Sequence, residues 1–454
     1  MMKKTELKIA PEELVSELGK ILKGYRLDAW EIYLLREQGT LVEVREQKLE
    51  SFEQEDNLCF ALRVIRQGRL GFGYSTDFRP GALKKLVEAI FLRIQESDPD
   101  PALGFPETDE PAPELPGIYD PGFFQRSEKE KINQAMILEQ SAYGVDPRVK
   151  RVRECQYNET LTEVRIRNSF GLDRKGIATN FSVSTAALAE QGKEAQISGE
   201  FDWSFRYDML APEKVGRTAG EKAILKLGGK PVKSIAAPVI LSPEVAGEFM
   251  ELVSYALSGE NLAKNKTWLK GREGGKVFSD KVTIIDDGLF EKGPERFPFD
   301  GEGVASRKKV LVENGMIKGF IFDSYYAHKL KTISTANARR EQFALPPLVG
   351  PSNFYLAPGE KSPEELIAGI SSGFLIKEAL GIHTADEISG EFSVGVSGQW
   401  IRQGHLAEPV SGVAIAGTLL DLLTLVREVG NDLKFITNCA SASVLLEALE
   451  VSGN

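Results

Sequence analysis

The sequence has few of the residues that hold metals or pair a nucleophile with its base. Its 454 residues include three histidines and three cysteines. These are His328, His383, His405, Cys59, Cys155 and Cys439. The cysteines lack CxxC spacing and no two histidines are close neighbours, so a site built from His383, His405 and Cys439 would need the fold to gather distant residues. We expect the histidines to be surface or loop imidazoles, and Cys59, inside an apolar run, to be a core residue.

Long apolar runs and clustered basic residues are also missing. No window holds roughly 18 apolar residues, so no membrane-spanning helix is expected. The basic start, residues 1–4, is not followed by the apolar stretch of a signal peptide. The formal net charge of −10 disfavours nucleic acid, because binding its backbone needs clustered Lys and Arg. We therefore expect a cytoplasmic protein with no membrane and no nucleic-acid partner.

The signatures of hydrolases and nucleotide-binding proteins are absent or misplaced. One Gly-x-Ser-x-Gly match, at 369–373, follows a helical pattern, whereas a nucleophile elbow needs a strand before it. We interpret it as a helix C-terminus closed by Gly373 rather than as a site for a catalytic Ser371. No Gly-rich segment ends in the Lys-Ser/Thr of a phosphate-binding loop, so nucleotide binding is not indicated.

Two carboxylate clusters remain as candidates for a metal site. Asp286 and Asp287 form the first, and Asp300 and Glu302 form the second. Carboxylates can bind hard cations. Both clusters are predicted to lie in Gly-rich turns, where Asp is favoured by hydrogen bonds to its own backbone. We therefore interpret them as turn residues rather than as ligands.

Hydrophobic periodicity predicts an α+β fold of two domains. The N-terminal domain combines helices with antiparallel sheets, and the C-terminal domain is mostly β, barrel-like or a sandwich, with inserted helices. The predicted boundaries are an N-terminal α+β unit at 1–97, a proline-rich connecting arm at 98–121, the continuation of the N-terminal domain at 122–234, and the β-rich domain at 235–454.

Turn signals divide the N-terminal strands into short pieces. A turn at Gly39 is predicted to join strands 30–35 and 40–45. A second turn, at Asn158-Glu159, is predicted to join strands 149–157 and 160–168. Helices are predicted at 11–24, 83–94, 127–143 and 214–227.

The best-formed helix of the C-terminal half begins at residue 243. Ser242 is a plausible N-cap, and Pro243 occupies the first helical position. One apolar face recurs at helical spacing and consists of Val245, Phe249, Leu252, Val253 and Ala256. Gly259 is predicted to end the helix.

The C-terminal half contains a set of short segments with a characteristic order and spacing. They are IIDDG (284–288), PFDGEGV (298–304), LVENG (311–315), STANAR (334–339), LAPGEKSPEELI (356–367), SGEFSVGVSG (389–398), EPVSGVAIAG (408–417) and VGNDL (429–433). The set resembles the TldD/PmbA family, long described as modulators of DNA gyrase and better described as components of a metalloprotease. In the N-terminal half, 68–78 is similar to the family's first hairpin.

The family's TldD branch carries His-Glu-x-x-x-His on a helix and a distant Cys, which hold the catalytic zinc. This chain has Met250, Glu251 and Tyr255 at those helix positions. Glu251 is where the general base would be, but a thioether and a phenol are poor zinc ligands. These vacated positions indicate the PmbA branch, also called TldE. Cys439 lies in a short ending similar to that of PmbA, and it is not expected to bind zinc.

No catalytic, cofactor-binding or metal-binding residue is therefore predicted. The apolar face predicts an undistorted helix on which Met250 and Tyr255 are packing residues. Glu251 is predicted to be a surface or interface carboxylate.

The resemblance implies a non-catalytic PmbA/TldE-type subunit of a TldD–TldE-like heterodimeric zinc metalloprotease. Such a subunit helps to enclose a chamber in which unfolded, extended peptides are cleaved. Zinc is expected only in the TldD-type partner, and this chain is expected to need no cofactor. The alternative is a homodimeric peptide-binding or regulatory protein without protease activity. Nothing in these residues argues for direct contact with DNA gyrase.

Overall fold

The computed structural model describes residues 11–107 and 110–453, so the basic start of the chain lies outside the described residues. The α-helices are α1 Pro11–Leu22, α2 Pro80–Arg93, α3 Glu128–Tyr143, α4 Pro212–Lys226, α5 Pro243–Ala256, α6 Gly259–Ala263, α7 Ser324–Lys329, α8 Pro363–Ala368 and α9 Leu419–Thr424. Single 3-10 turns occur at Ile94–Glu96, Phe123–Gln125, Tyr207–Met209 and Ile382–Thr384.

The strands fall into two groups of different length. Those of the N-terminal half are β1 Ala29–Arg45, β2 Lys48–Arg66, β3 Arg69–Ser75, β4 Val149–Asn168, β5 Asp173–Gln191 and β6 Glu194–Ser204. Those of the C-terminal half are β7 Ile235–Leu241, β8 Ile284–Asp287, β9 Lys308–Glu313, β10 Met316–Ile317, β11 Ala338–Arg339, β12 Leu348–Val349, β13 Phe354–Leu356, β14 Ser372–Leu380, β15 Glu391–Arg402, β16 His405–Thr418, β17 Val426–Val429, β18 Lys434–Phe435, β19 Cys439–Ser441 and β20 Val444–Ser452.

The N-terminal half is organised on one six-stranded antiparallel sheet. Its strand order is β3-β2-β1-β4-β5-β6. β1 pairs with β2 on one side and with β4 on the other, so Thr40 lies between Gln54 and Glu159. Because β1 and β4 are neighbours, the segments before and after the proline-rich arm belong to the same sheet.

Both faces of this sheet are covered. Alternate residues of β1, such as Ile32 and Val42, point to the face on which all four N-terminal helices pack. α1 and α2 cover one end of that face, and α3 and α4 cover the other end. The opposite face carries Tyr33 and Ile166, which pack against Phe299 of the C-terminal half.

The predicted turns at Gly39 and at Asn158-Glu159 are wrong. β1 and β4 are single strands of 17 and 20 residues that pass straight through these positions. Gly39 is extended and lies between Glu55 and Thr160 in the sheet. An added Cβ would come within 3.1 Å of the Glu159 carbonyl oxygen, so glycine serves close strand packing here rather than chain reversal.

The C-terminal half contains a closed barrel. Its sheet has the order β16-β15-β14-β7-β20-β17, and a further pairing between β16 and β20 closes the ring. β7 and β14 run parallel, and the other neighbours are antiparallel. The predicted α+β class, with a barrel-like second domain, is confirmed.

A second six-stranded sheet packs beside the barrel and encloses α5. Its order is β10-β9-β8-β13-β19-β18. α5 contacts β13, β18 and β19 of this sheet and β7 and β14 of the barrel, so it fills the space between the two. In the described part of the chain, no helix is long and apolar enough to cross a bilayer.

The proline-rich arm lies across both halves of the molecule. Phe105 and Ile118 are buried, and the carbonyl of Pro106 accepts a hydrogen bond from Asn168 (2.8 Å). The carboxylate of Asp100 accepts one from the hydroxyl of Tyr325 on α7 (2.7 Å). Phe105 packs with Ala29 and Ile65 of the N-terminal sheet, so the arm is held by apolar as well as polar contacts.

A buried ion network joins the N-terminal sheet to the C-terminal half. Arg63 of β2 donates to Glu31 of β1 (Nε–Oε1, 3.0 Å) and to Glu302 (Nη2–Oε1, 3.0 Å). Arg340 also donates to Glu31. Burial raises the pKa of Glu31, but the guanidinium groups of Arg63 and Arg340 outweigh it and hold that pKa below its usual value. The two halves are thus held by complementary charges as well as by apolar contact.

Candidate functional site

α5 begins as the sequence predicts. The Ser242 hydroxyl accepts a hydrogen bond from the Val245 amide (3.5 Å), and Pro243 is the first helical residue. The five residues of the predicted apolar face are all buried. The predicted end is wrong, because α5 stops at Ala256. Gly259 instead opens α6, where a side chain would collide with the Phe322 ring.

The two positions that match the family's histidines lie in different surroundings. Met250 is 2% exposed and belongs to the core between barrel and sheet, in agreement with the packing prediction. Tyr255 is 48% exposed, so the same prediction is wrong for that residue. On a regular helix, residues i and i+5 point about 140° apart. One of the two side chains can therefore enter the core only if the other faces outward.

Glu251 lies on α5, close to Cys439 on the neighbouring strand β19. Glu251 is half-buried and accepts a hydrogen bond from the Thr437 hydroxyl. Cys439, on β19, is 2% exposed. Burial, followed by the charge of Glu251, raises the pKa of its thiol. Burial thus favours the protonated form of the Cys439 thiol, which is the less reactive one.

The other possible ligands are dispersed. His383 and His405 are exposed, as predicted, and His328 contacts the arm through Nδ1, which lies 3.2 Å from the Ala102 carbonyl oxygen. Cys59 is buried in the N-terminal half, as predicted. Within the described ranges, no three His, Cys, Asp or Glu side chains are grouped as a metal site would require. The structure therefore does not bring His383, His405 and Cys439 into a common cluster.

The Gly-x-Ser-x-Gly match lies between a helix and a strand. α8 ends at Ala368 with Gly369 as its cap, and β14 begins at Ser372, so the predicted stop at Gly373 is wrong. The order is helix then strand, which is the reverse of a nucleophile elbow. Ser371 thus lacks the strand–turn–helix geometry that would expose and activate a catalytic hydroxyl.

The carboxylate clusters divide between turn and strand. Asp300 accepts hydrogen bonds from the Glu302 and Val304 amides (both 2.9 Å), so the turn interpretation is correct there. It is wrong for Asp286, which lies buried on β8, opposite Lys309 on β9. The Lys309 ammonium is 2.6 Å from the Asp286 carboxylate and compensates its charge. Asp286 can therefore be buried in a strand, because Lys309 supplies the compensation that turn hydrogen bonds would otherwise provide.

A cavity of about 660 Å³ separates the two halves of the molecule along the polar side of α5. We call it the interdomain cavity. β5, β6 and α4 form one wall, and the first two turns of α5 with β14, β15 and β16 form the other. Phe201 and Leu225 supply apolar surface, and Glu244, Glu248, Glu378 and Lys434 supply charges. Its size and mixed lining are those of a ligand pocket.

Most charges in this cavity are paired. The ammonium groups of Lys222 and Lys434 each lie between Glu200 and Glu244, at 2.7–3.2 Å. Burial alone would raise the pKa of Glu244, but the two lysines outweigh it and lower that pKa to about 2. These pairs are satisfied within the fold and leave little attraction for a ligand.

Among the glutamates of the cavity, the exposed Glu154 and the half-buried Glu248 are the exceptions. Glu248 is the one that burial affects. It is half-buried on α5 and lines the cavity, yet among the described residues no hydrogen bond or salt bridge reaches its carboxylate. Burial, followed by the charges of Glu251, Glu378 and Glu244, raises its pKa to about 7. This carboxylate therefore costs free energy in the folded chain when it is ionised.

The sequence of α5 also contains a regular spacing of glutamates, which predicts a charged side of the helix distinct from its apolar face. Glu244, Glu248 and Glu251 recur at i, i+4 and i+7, so like charges share one side of α5. Such a stripe weakens an isolated helix unless other groups compensate it. The lysines that compensate Glu244 come from α4 and β18, at distances in sequence that no local pattern could connect.

Glu248→Gln is expected to stabilise the protein at pH 8. The folded-state pKa of Glu248 lies above the value of an unfolded glutamate, so folding favours the protonated form and stability falls as pH rises from about 4.5 to about 7. Allowing for solvent screening, the neutral amide should add about 1–2 kcal/mol at pH 8 and nearly nothing at pH 4. Denaturant unfolding of both proteins at the two pH values measures the difference. An equal stability at pH 8 would contradict the shifted pKa.

The fold and site together define an α+β protein of two halves whose described residues hold no grouped set of metal ligands. Family profiles identify the scaffold. The PmbA/TldA metallopeptidase domain 1, central domain and C-terminal domain match residues 30–92, 122–227 and 234–453. The chain belongs to the PmbA/TldD metalloprotease family, as its sequence segments predict.

Relatives of known sequence or structure agree with this assignment. The metalloprotease PmbA of Escherichia coli O157:H7 is 28% identical over 97% of this chain and 96% of its own length. A Thermotoga maritima crystal structure, described as a candidate modulator of a DNA gyrase, is 29% identical with a TM-score of 0.88, over 97% of this chain and all of that chain. TldE from Thermococcus kodakarensis shares the fold, with a TM-score of 0.83 at 23% identity over 97% of this chain and 99% of its own.

The zinc implied by a metallopeptidase family does not fit the residues present here. The side chain at the first ligand position, Met250, is in the core, and the one at the second, Tyr255, faces outward. Partial burial, followed by nearby glutamates, raises the pKa of the Tyr255 phenol, which opposes the loss of a proton that ligation requires. We therefore derive no catalytic step through a metal bound to α5.

Proposed function

We propose that this chain is a non-catalytic PmbA/TldE-type subunit that pairs with a TldD-type chain in a heterodimeric zinc metalloprotease. The observation that carries the proposal is the state of α5. It is a regular helix with Met250 in the core, Tyr255 outside and Glu251 hydrogen-bonded to Thr437. A helix in this state can support a wall of an active chamber but cannot hold the metal.

The N-terminal sheet suits the recognition of extended peptides. β3 and β6 are its outer strands, and in the described part of the chain neither has a further strand paired with it. A free strand edge offers backbone donors and acceptors to any extended chain, so it binds with little dependence on side chains. In this proposal the subunit helps to enclose the chamber and guides unfolded peptides, whereas the partner supplies the zinc and cleaves.

The expected result is that the purified chain alone contains no stoichiometric zinc and does not cleave an unfolded peptide, whereas the chain mixed with a TldD-type partner does. Metal content is measured by mass spectrometry and cleavage by a fluorogenic unfolded peptide. A matched control is Glu251→Gln in this chain, which should leave cleavage by the pair within about twofold, because Glu251 has no metal-bound water to activate. Chelator-sensitive cleavage by the lone chain would refute the proposal.

A homodimeric peptide-binding or regulatory role is the second candidate function. It is favoured by the same free strand edges and by the cavity beside α5, which do not depend on a protease partner. The two candidate functions differ in whether this chain binds a TldD-type chain. Stable co-purification at a one-to-one ratio supports the heterodimer, and a lone homodimer that ignores the TldD-type chain supports the alternative.

A further inference from the structure

We propose that the interdomain cavity is a side-chain pocket that accepts a basic residue, lysine or arginine, of an extended peptide, with Glu248 as its counter-ion. The inference rests on the proposed peptide-binding function and adds a substrate preference to it. It concerns this chain alone and needs no metal.

The charge balance of the cavity selects a cation. Five glutamates and four lysines line it. Glu378 is paired with Lys226 (2.8 Å), and Glu200 and Glu244 share two further lysines. Of the two glutamates left, Glu154 is exposed, and Glu248 is half-buried without a basic partner among the described residues. A ligand that carries a positive charge supplies that partner.

The remaining lysine does not reverse this balance. Lys377 donates a hydrogen bond to the side-chain oxygen of Gln399 (2.7 Å). Burial, followed by the charge of Lys222, lowers its pKa, so its charged form is disfavoured. Lys377 is thus partly satisfied by Gln399, whereas no hydrogen bond or salt bridge from the described residues reaches Glu248, which makes an anionic ligand the poorer match.

The shape of the cavity suits a long basic side chain. Its walls include the apolar side chains of Phe201, Leu225, Val410 and Ile436. Lys and Arg side chains combine an aliphatic stem with a charged end, so they can pack against such walls while the end meets a carboxylate. The volume of about 660 Å³ exceeds the needs of a single ion and leaves room for a side chain with its backbone.

The position of the cavity indicates that the ligand is part of a peptide. Gln196 and residues 198–201, on the outer strand β6, line one wall, so an extended chain paired with this strand would pass next to the cavity. Peptides that add to a strand edge place alternate side chains in pockets on one face. Glu248 lies one turn before Glu251, on the side of α5 where the family's motif aligns.

The test uses two N-acetylated, fluorescein-labelled decapeptides of β-prone sequence that differ only in one central residue, lysine or norleucine. Binding to the purified full chain is measured by fluorescence anisotropy at pH 8. We expect the lysine peptide to bind about tenfold tighter, as one charge-assisted contact predicts. Acetylation removes the terminal amine, so the side chain is the only cation that differs.

Two variants locate the effect. Glu248→Gln is expected to abolish the preference for lysine, and the matched control Glu360→Gln, an exposed glutamate outside the cavity, is expected to keep it. Equal affinity of the two peptides for the unmodified chain overturns the inference, as does a preference that survives Glu248→Gln. Absence of measurable binding of either peptide also overturns it.

The inference and the proposed function fail in different ways. If the pair with a TldD-type chain cleaves the norleucine peptide as fast as the lysine peptide, and the lone chain shows no preference, the pocket is refuted and the subunit role stands. If the lone chain prefers lysine but no TldD-type chain associates with it, the pocket stands and the heterodimer is refuted.

Discussion

Arg63→Met is expected to destabilise the protein by about 3–5 kcal/mol. Arg63 is buried at 6% exposure and lies between Glu31 and Glu302, which are each 1% exposed. Without its guanidinium, Glu302 keeps the backbone amide of Ser324 (3.0 Å) but loses its cation. An uncompensated carboxylate inside the protein costs much more than the loss of an attractive contact at the surface. Urea unfolding followed by tryptophan fluorescence measures the change.

The matched control for this prediction is Arg402→Met. Arg402 pairs with Glu408 on the barrel surface, where the two side chains are 61% and 49% exposed. Water and salt screen such a pair, so its removal should cost no more than about 1 kcal/mol. If Arg63→Met costs as little as Arg402→Met, the buried network does not contribute to stability and the two halves are held by apolar contact alone.

The position of Arg63 links this stability to the proposed role. β2 belongs to the N-terminal sheet, and Glu302 belongs to the C-terminal half. The network therefore fixes one half against the other, and the interdomain cavity lies between the same two halves. A subunit that forms a chamber wall needs this rigidity, because a free strand edge guides a peptide only if the opposite wall keeps its distance.

Local patterns in the sequence predicted the elements that local chemistry determines. α3 begins at Glu128 because a capping box forms before it, with the N-cap Ser127 and Glu130 bonded reciprocally. α5 begins at Ser242 and Pro243 for similar reasons. In both cases the determining residues lie within one helical turn, so a single sequence contains all the information that is needed.

The long strands were not predictable in the same way. Gly39 was interpreted as a turn because glycine usually marks one. The real reversal is at Glu46 and Gln47, which have positive φ values of 52° and 55°. Their amides donate to the buried carboxylate of Glu139 on α3, at 2.7 and 2.6 Å. A turn without glycine, held by a residue almost a hundred positions away, leaves no local pattern.

The candidate site also has one part that local sequence predicts and one part that only the fold creates. The vacated motif at Met250, Glu251 and Tyr255 was visible from the sequence, because it depends on residue identity at known spacing. The cavity was not, because it forms where β6 and α4 meet β14, which lies far from both in the chain. The pKa of Glu248 is raised first by burial, then by Glu251 of its own helix and by Glu378, and only the fold brings Glu378 close to it.

Met250→Ala is expected to cost about 2–5 kcal/mol, because it removes a buried side chain from the core between barrel and sheet. Tyr255→Ala, five residues later on the same helix, is expected to cost less than about 1 kcal/mol, because nearly half of the tyrosine already meets solvent. The pair of variants compares the two vacated ligand positions directly, with the helix backbone held constant. Denaturant midpoints measure both.

The comparison separates two views of α5. If the helix were a metal site, both positions would face one point, and both substitutions would have similar effects. A regular packing helix instead requires opposite directions for i and i+5, and therefore a large effect at Met250 and a small one at Tyr255. Equal costs at the two positions would contradict the geometry on which the non-catalytic role rests. A small cost at Met250 would mean that the core tolerates a void where the family's first ligand aligns.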